Sequence, residues 1–245
     1  MIAWLVLIGI SAVIAVMFGY QRRHVLRQTS IEGIDSPEAA QAYDRISKWP
    51  QFKLLRRMVI TELKKYHPEG SLIDIGCGPG YLVALMAKSF PALRIIGIDI
   101  SKEMVVTASD NLSPLGLGSR LEFRQGDAQN LPLGDSSVDF ALSTLSLHHW
   151  SDPKSALQEI HRVLKPSGQF LVFDLRRDSR RWFYWLIYFA QTFVVPAPMR
   201  RINEPLNSLL SSYTAAEVKT ILSGTQFQKT NVSSRLAFMF IWGQK

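Results

Sequence analysis

Cysteine is nearly absent from this chain: Cys77 is the only one in 245 residues. One thiol excludes an internal disulfide framework and a cysteine-rich zinc site. Repeats and low-complexity tracts are missing too, which excludes solenoids and arrays. Charge is sparse, at 20% of residues against 47% hydrophobic. That balance excludes global disorder and supports a proper core at this length. Acidic residues are the scarcer sign, 20 Asp+Glu against 28 Lys+Arg for a net charge of +8. A basic surplus admits an anionic membrane surface or a nucleic acid as partner and does not choose between them.

The longest absence is of charge, from Met1 to Gln21. A helix of ~20 residues spans ~30 Å, the hydrocarbon thickness of a bilayer. Trp4 and Tyr20 stand near the two ends, where amphipathic rings favour the interface. A cleaved signal peptide carries positive charge before its apolar stretch, whereas here Arg22, Arg23, His24 and Arg27 come after it. The run therefore predicts an uncleaved, single-pass transmembrane anchor over 1–21, with everything beyond it on the cytoplasmic side. Residues 22–36 read as a basic juxtamembrane linker, and 37–245 as the folded domain.

Within that domain, Ser36-Pro37 reads as an N-cap with proline in the first turn, and the helix it opens stops before Pro50. A second helix carries Phe52, Leu55, Val59, Leu63 and Tyr66 at helical spacing. After Gly70 the pattern turns to strands alternating with helices. Strands are expected at 72–75, 94–98, 121–123, 138–143 and 169–175. Helices are expected after Gly80, Ser101 and Asp152, the last with Ala156, Leu157, Ile160, Val163 and Leu164 on one face. Such alternation predicts a parallel sheet with right-handed crossovers. Thr214-Ala215-Ala216-Glu217 is a capping box. Two strands near 228–233 and 236–242 then follow with no helix between them. The expected fold is α/β: a Rossmann-like, doubly wound, mostly parallel sheet with an antiparallel C-terminal edge hairpin, preceded by the transmembrane helix.

The densest signal is Leu72-Ile73-Asp74-Ile75-Gly76-Cys77-Gly78-Pro79-Gly80-Tyr81-Leu82. A strand runs into three spaced glycines and a helix starts at once. About 20 residues on, Asp99 closes the second strand, where a carboxylate can take both hydroxyls of a ribose. The dinucleotide fingerprint is G-x-G-x-x-G; this loop is G-x-G-x-G. Asp74 has the wrong sign for a pyrophosphate and the right one for an ammonium. A nucleoside with a cationic amino-acid tail, S-adenosylmethionine, fits both carboxylates. Cys77 reads as a small filler, since nothing near it marks a stabilised thiolate.

These residues resemble those of class I S-adenosylmethionine-dependent methyltransferases acting on small molecules, quinones and lipids. The resemblance covers roughly residues 43–175. It is carried by Asp74-Ile75-Gly76-Cys77-Gly78-Pro79-Gly80, by Gly97-Ile98-Asp99-Ile100-Ser101, by Gly126-Asp127-Ala128-Gln129-Asn130-Leu131-Pro132 and by His161 to Gln169. It implies that Gly76, Gly78 and Gly80 lie against the methionine part of the cofactor and that Asp99 holds its ribose. It further implies that Ile100 packs on the adenine, that Asp127 bonds the adenine amino group with Ala128 giving a backbone contact, and that Ser143 to Leu145 border the cofactor beside the substrate. No metal is implied.

Leu147-His148-His149-Trp150 follows the fourth strand, at the sheet edge where sites form. His148 and His149 are the candidate catalytic bases, with loop-setting as the competing role. The Asn/Asp-Pro-Pro-aromatic motif of enzymes that methylate bases in nucleic acids is replaced here by Ser143-Thr144-Leu145-Ser146, so no nucleic acid is expected. Residues 182–199 carry no charge and lie between Arg176, Arg177, Arg180, Arg181 and Arg200, Arg201. They read as an insert that faces the membrane or covers the pocket, with a plain core helix as the bland alternative. The expectation is a membrane-anchored methyltransferase using S-adenosylmethionine on a lipophilic small molecule or lipid. The alternatives are a non-catalytic S-adenosylmethionine-binding module that recruits partners to the membrane, and an NAD(P)-dependent oxidoreductase.

Overall fold

A computed structural model of the chain describes Trp4, residues 25–29 and residues 36–245. Apart from Trp4, the expected transmembrane run 1–21 lies outside the described residues, as do 22–24 and 30–35 of the linker. Among the described residues, no helix is long and apolar enough to cross a membrane.

The helices α1 (Pro37–Ser47) and α2 (Pro50–Leu63) lead into β1 (Ser71–Ile75), α3 (Tyr81–Ser89), β2 (Arg94–Asp99), α4 (Lys102–Leu112), β3 (Leu121–Gln125) and β4 (Val138–Thr144). Then come α5 (Pro153–Val163), β5 (Leu164–Leu175), α6 (Arg181–Phe193), α7 (Ala197–Arg201), α8 (Leu206–Ser211), α9 (Ala215–Ser223), β6 (Lys229–Arg235) and β7 (Phe238–Gln244). The strands form one sheet in the order β3-β2-β1-β4-β5-β7-β6. The first five are parallel, and β7 runs antiparallel to both β5 and β6. This is the doubly wound sheet with an antiparallel hairpin edge that the alternation predicts. The order reverses between β1 and β4, and crevices for ligands open at such a point.

The helix starts follow from local chemistry. The Ser36 hydroxyl accepts from the Ala39 N–H at 3.1 Å, Ser101 caps α4 through the Met104 N–H, and Asp152 caps α5 through two backbone N–H groups. The Thr214–Glu217 capping box is complete. Each such cap is worth about 1 kcal/mol. β1 alternates its faces as a strand must. Ile73 and Ile75 face a core with Leu157, Ile160, Val218 and Leu222 of α5 and α9. Leu72 faces Val59, Leu63, Val83 and Met86 of α2 and α3. Asp74 shares the parity of Leu72 and is 1% exposed.

Two sequence expectations need correcting. β5 begins at Leu164 rather than Gln169: Leu164 already pairs with Val138, and the register shifts between Val138 and Phe140. The Pro166-Ser167-Gly168 turn signal is thus an irregularity inside a strand. Residues 25–29, within the stretch read as a juxtamembrane linker, are fastened to the folded domain. The Gln28 N–H donates to the Leu210 carbonyl at 3.1 Å, Arg27 Nε donates to the Ser211 carbonyl at 2.6 Å, and the Arg27 guanidinium lies 4.1 Å from the Tyr213 ring centroid. Arg176 and Arg177 are not solvent-facing flanks of the apolar insert, for both are buried. Arg176 pairs with Asp178. Arg177 pairs with Glu217 at 2.6 Å and also donates to the Val25 and Ser212 carbonyls. A buried guanidinium needs such partners, because an uncompensated one costs several kcal/mol.

Candidate active site

The site is built where β1 stops. Gly76 and Gly80 both adopt left-handed backbone, with φ of 75° and 83°. A side chain at Gly76 would also strike Ser146, whose Oγ lies 2.5 Å from the Cβ position. At Gly80 the first turn of α3 packs on Leu112 and Ala108 of α4. These glycines let the loop turn back tightly between β1 and α3. The Ile98 carbonyl of β2 accepts from both Gly76 and Cys77, at 2.7 and 3.0 Å. Cys77 is buried, and that burial pushes its thiol pKa well up, so it fills space as expected.

Asp99 closes this loop from the side. It accepts the Gly78 N–H at 2.7 Å and the Ser101 N–H at 3.0 Å, one on each oxygen. Burial raises its pKa, while the backbone bonds from Ser101, Gly78 and Ile100 act against the rise. A carboxylate offers about four acceptor positions, so it retains capacity for further donors. Sequence reading gave Asp99 to a ribose; the structure shows that it also fixes the glycine loop. Asp74 is the opposite case. Its Oδ1 is buried without a hydrogen-bond partner among the described residues. Burial, and then the charge of Asp99, push its pKa up to about 7.

Ile100 is 46% exposed and borders a crevice of about 410 Å³ with Gln125, Gly126, Asp127, Asn130, Leu131 and Pro132. The structure thus gathers Ile100 and Asp127 into one hollow beside Asp99. Asp127 caps its own turn through the Gln129 N–H at 2.9 Å, and Ala128 is buried in the core behind it. Ser143 is fully buried, and its hydroxyl donates to the Ile75 carbonyl at 2.8 Å. It fastens β4 to the end of β1.

The two histidines lie in the loop that presses on Gly76, where the Trp150 indole N–H donates to Ser146 Oγ at 3.1 Å. His148 is 1% exposed. Its Nδ1 is 2.7 Å from Asp174 Oδ1, and its backbone N–H donates to Asp174 Oδ2 at 3.0 Å. Asp174 also accepts the Leu175 N–H. The His149 ring packs 4.1 Å from that of His148. Burial, and then the electrostatic influence of His148, lower its pKa to about 2.

Sequence reasoning missed two groups here. Asp174 ends an apolar strand at the sheet's carboxyl edge, a position that could have marked it. Asp44, on α1, accepts from the Tyr81 hydroxyl at 2.7 Å and from Asn111 Nδ2 at 3.0 Å, while Asn111 also donates to the Pro79 carbonyl. Burial acts to raise the Asp44 pKa, but hydrogen bonds from Lys48, Tyr81 and Asn111 outweigh it and leave the pKa lowered. Tyr43, one residue earlier, places its ring 3.4 Å from the Cβ position at Gly78. α1 therefore covers the glycine loop. Among the described residues no His/Cys/Asp/Glu cluster could hold a metal ion.

The residues fit S-adenosylmethionine. A buried carboxylate with an unpaired oxygen favours a cation beside it, and Asp74 would meet the cofactor's ammonium. Asp99 would take its ribose, and Ile100 and Asp127 its adenine.

Comparison with known proteins agrees with this geometry. Residues 73–172 match a family model described as "Methyltransferase domain". A demethylmenaquinone methyltransferase of Desulfitobacterium hafniense is 32% identical over 155 residues, 61% of each chain. A putative S-adenosyl-L-methionine-dependent methyltransferase of Methanococcus maripaludis superposes with a TM-score of 0.68 at 22% identity, covering 89% of this chain and 97% of that one. The plantazolicin methyltransferase BpumL, crystallised with SAH and a substrate analogue, gives 0.67 at 17% identity, covering 86% and 92%. The chain spans between 26% and 61% of the length of the first curated relatives it matches. Residues 73–172 thus match a methyltransferase domain, on a fold shared with solved S-adenosylmethionine-dependent methyltransferases, and S-adenosylmethionine is the cofactor that the site fits.

Proposed function

We propose that this protein methylates a lipophilic small molecule or lipid at a membrane surface. The observation that carries the cofactor half is the buried Asp74 Oδ1, without a hydrogen-bond partner among the described residues, beneath a glycine loop that Asp99 holds in place. When bound, S-adenosylmethionine would supply an electrophilic methyl group on a sulfonium, whose sulfur departs as a neutral thioether. The chain's own task is alignment and exclusion of water, which can supply about 7–11 kcal/mol. The fastening of Ser143 to Ile75, and of Asn111 to Pro79, keeps the loop in one geometry.

An acceptor that must lose a proton needs a base. Of the two histidines, His149 is too weak a base with its pKa near 2. His148 is the better candidate. Asp174 Oδ1 is an acceptor, so it places the ring proton on Nδ1 and leaves Nε2 as the basic nitrogen.

The membrane half is supported by the uncharged run 1–21 with Arg22 and Arg23 after it, a pattern that favours a single pass with the catalytic domain on the cytoplasmic side. A lipophilic acceptor is supported by the similarity to a protein named demethylmenaquinone methyltransferase. The test is calorimetry of the full chain with S-adenosylmethionine and with NAD, followed by incubation of membranes with methyl-labelled cofactor. Binding of the first alone, and label in a lipid-extractable product, is expected. Binding of NAD instead, or label confined to water-soluble products, would overturn the reading.

A further inference from the structure

The uncharged run 182–199 folds as α6, a break at Val194–Pro196, and α7. α6 is apolar on two faces. Its inner face carries Phe183 and Ile187 onto Leu175 and Leu209. Its outer face carries Trp185 (58% exposed), Leu186 (51%), Tyr188 (45%), Phe189 (55%) and Phe193 (72%). Residues three, four and eight apart lie on one side of a helix, so these form a single stripe. Soluble monomers seldom expose a contiguous apolar patch of this kind without a partner for it.

We propose that the outer face of α6 seats in the headgroup–acyl boundary of an anionic lipid bilayer. Three observations select that occupant. Trp and Tyr on the stripe are the rings that favour a membrane interface. Arg180 and Arg181 at its start and Arg200 and Arg201 beyond its end are all exposed, and no Asp or Glu occurs from Ser179 to Asn203. Such a rim is attracted by anionic headgroups. A second copy docking on the stripe would instead bring two sets of arginines together. Finally, Arg27 and Gln28, which follow the uncharged N-terminal run, bond to α8, and Leu209 of α8 packs in the cluster beneath α6. The chain therefore leaves toward its apolar N-terminus from the same part of the molecule.

The placement has a use in catalysis. Val195 and Met199, just past α6, pack on Ala42 and Ile46 of α1, and Tyr43 of α1 covers Gly78. A seated α6 brings the cover of the cofactor loop close to the lipid, where a lipophilic acceptor partitions. This extends the membrane reading above but stands on α6, not on the N-terminal run.

The test uses the full chain with an environment-sensitive fluorophore on Trp185→Cys, on Phe189→Cys and, as a control at the far sheet edge, on the exposed Ser119→Cys; native Cys77 is buried. With vesicles of phosphatidylcholine and phosphatidylglycerol, the two α6 labels should shift to the blue and be quenched severalfold by nitroxide lipids, while the Ser119 label should not change. Water-like emission at both α6 positions in vesicle-bound protein would overturn the proposal. So would a shift that needs no vesicles and grows with protein concentration, which marks a second copy. An equal shift on purely zwitterionic vesicles would remove the role given to the arginines. Binding of S-adenosylmethionine by the same labelled chains is read separately, so a failure of the cofactor assignment is distinguishable from a failure of this one.

Discussion

Asp174 holds His148 at two points, ring and backbone: Nδ1 lies 2.7 Å from one carboxylate oxygen, and the N–H donates to the other at 3.0 Å. Both residues are 1% exposed. Replacing Asp174 with Asn keeps the volume but turns one acceptor into a donor that faces a donor. Loss of a buried charged hydrogen bond costs about 1.5–3 kcal/mol. Urea unfolding should show a loss of that size, and a change under about 0.5 kcal/mol would show that the pair does not order this loop.

The Asp74 carboxyl makes a prediction in pH. Its folded-state pKa of about 7 lies above the ordinary value of 3.8. The ligand-free protein therefore holds this proton more tightly folded than unfolded. Stability from this group is full below about pH 4 and is lost as pH rises through about 7, by an amount on the order of 4 kcal/mol. Asp74→Asn should remove that slope in thermal melts, be more stable than wild type at pH 8, and bind S-adenosylmethionine at least tenfold more weakly. If wild type and variant melted in parallel from pH 5 to 9, the carboxylate would not be the strained group described here.

Gly76→Ala tests the loop itself. A left-handed backbone costs an L-residue roughly 1–2 kcal/mol, and the new methyl would meet Ser146 Oγ at 2.5 Å. The variant should lose more than that backbone cost together with most cofactor affinity. Gly134→Ala, where nothing lies within 4 Å, should lose neither. Equal melts for the two variants would refute the close approach.

Arg177 joins Val25, Ser212 and Glu217. Arg177→Ala should release residues 25–29 and raise tryptic cleavage after Arg27 roughly tenfold, since cleavage tracks local opening. Mass spectrometry of the digest reads this directly, and an unchanged rate would mean that Arg27 holds the segment alone.

What the sequence made legible was local. The β1–glycine–α3 turn, the helix starts at Ser36, Ser101, Asp152 and Thr214, and the buried face of α5 each rest on residues a few positions apart, and each is found as expected except for Leu164, which opens β5 instead of extending that face. Ile100 and Asp127 were legible as candidates, and the crevice brings them together. The misses are partners distant in sequence. His148 and Asp174 are 26 residues apart, Asp44 and Tyr81 are 37 apart, and Arg177 and Val25 are 152 apart. Periodicity shows that such groups are charged or polar, but only the closed sheet shows what they meet. Arg176 and Arg177 were misplaced for that reason: basic residues flanking an apolar run look like its exposed rim until their acceptors are known.

Arg27 carries a last consequence. The same guanidinium that donates to Ser211 also reaches the His148 carbonyl, at 3.3 Å. Arg27 thus braces the histidine loop against α8 through one side chain. A shortened protein starting at Ile31 would lose that brace. Slow turnover by such a protein would then reflect a loosened histidine loop, and adding the missing peptide back in trans should restore it.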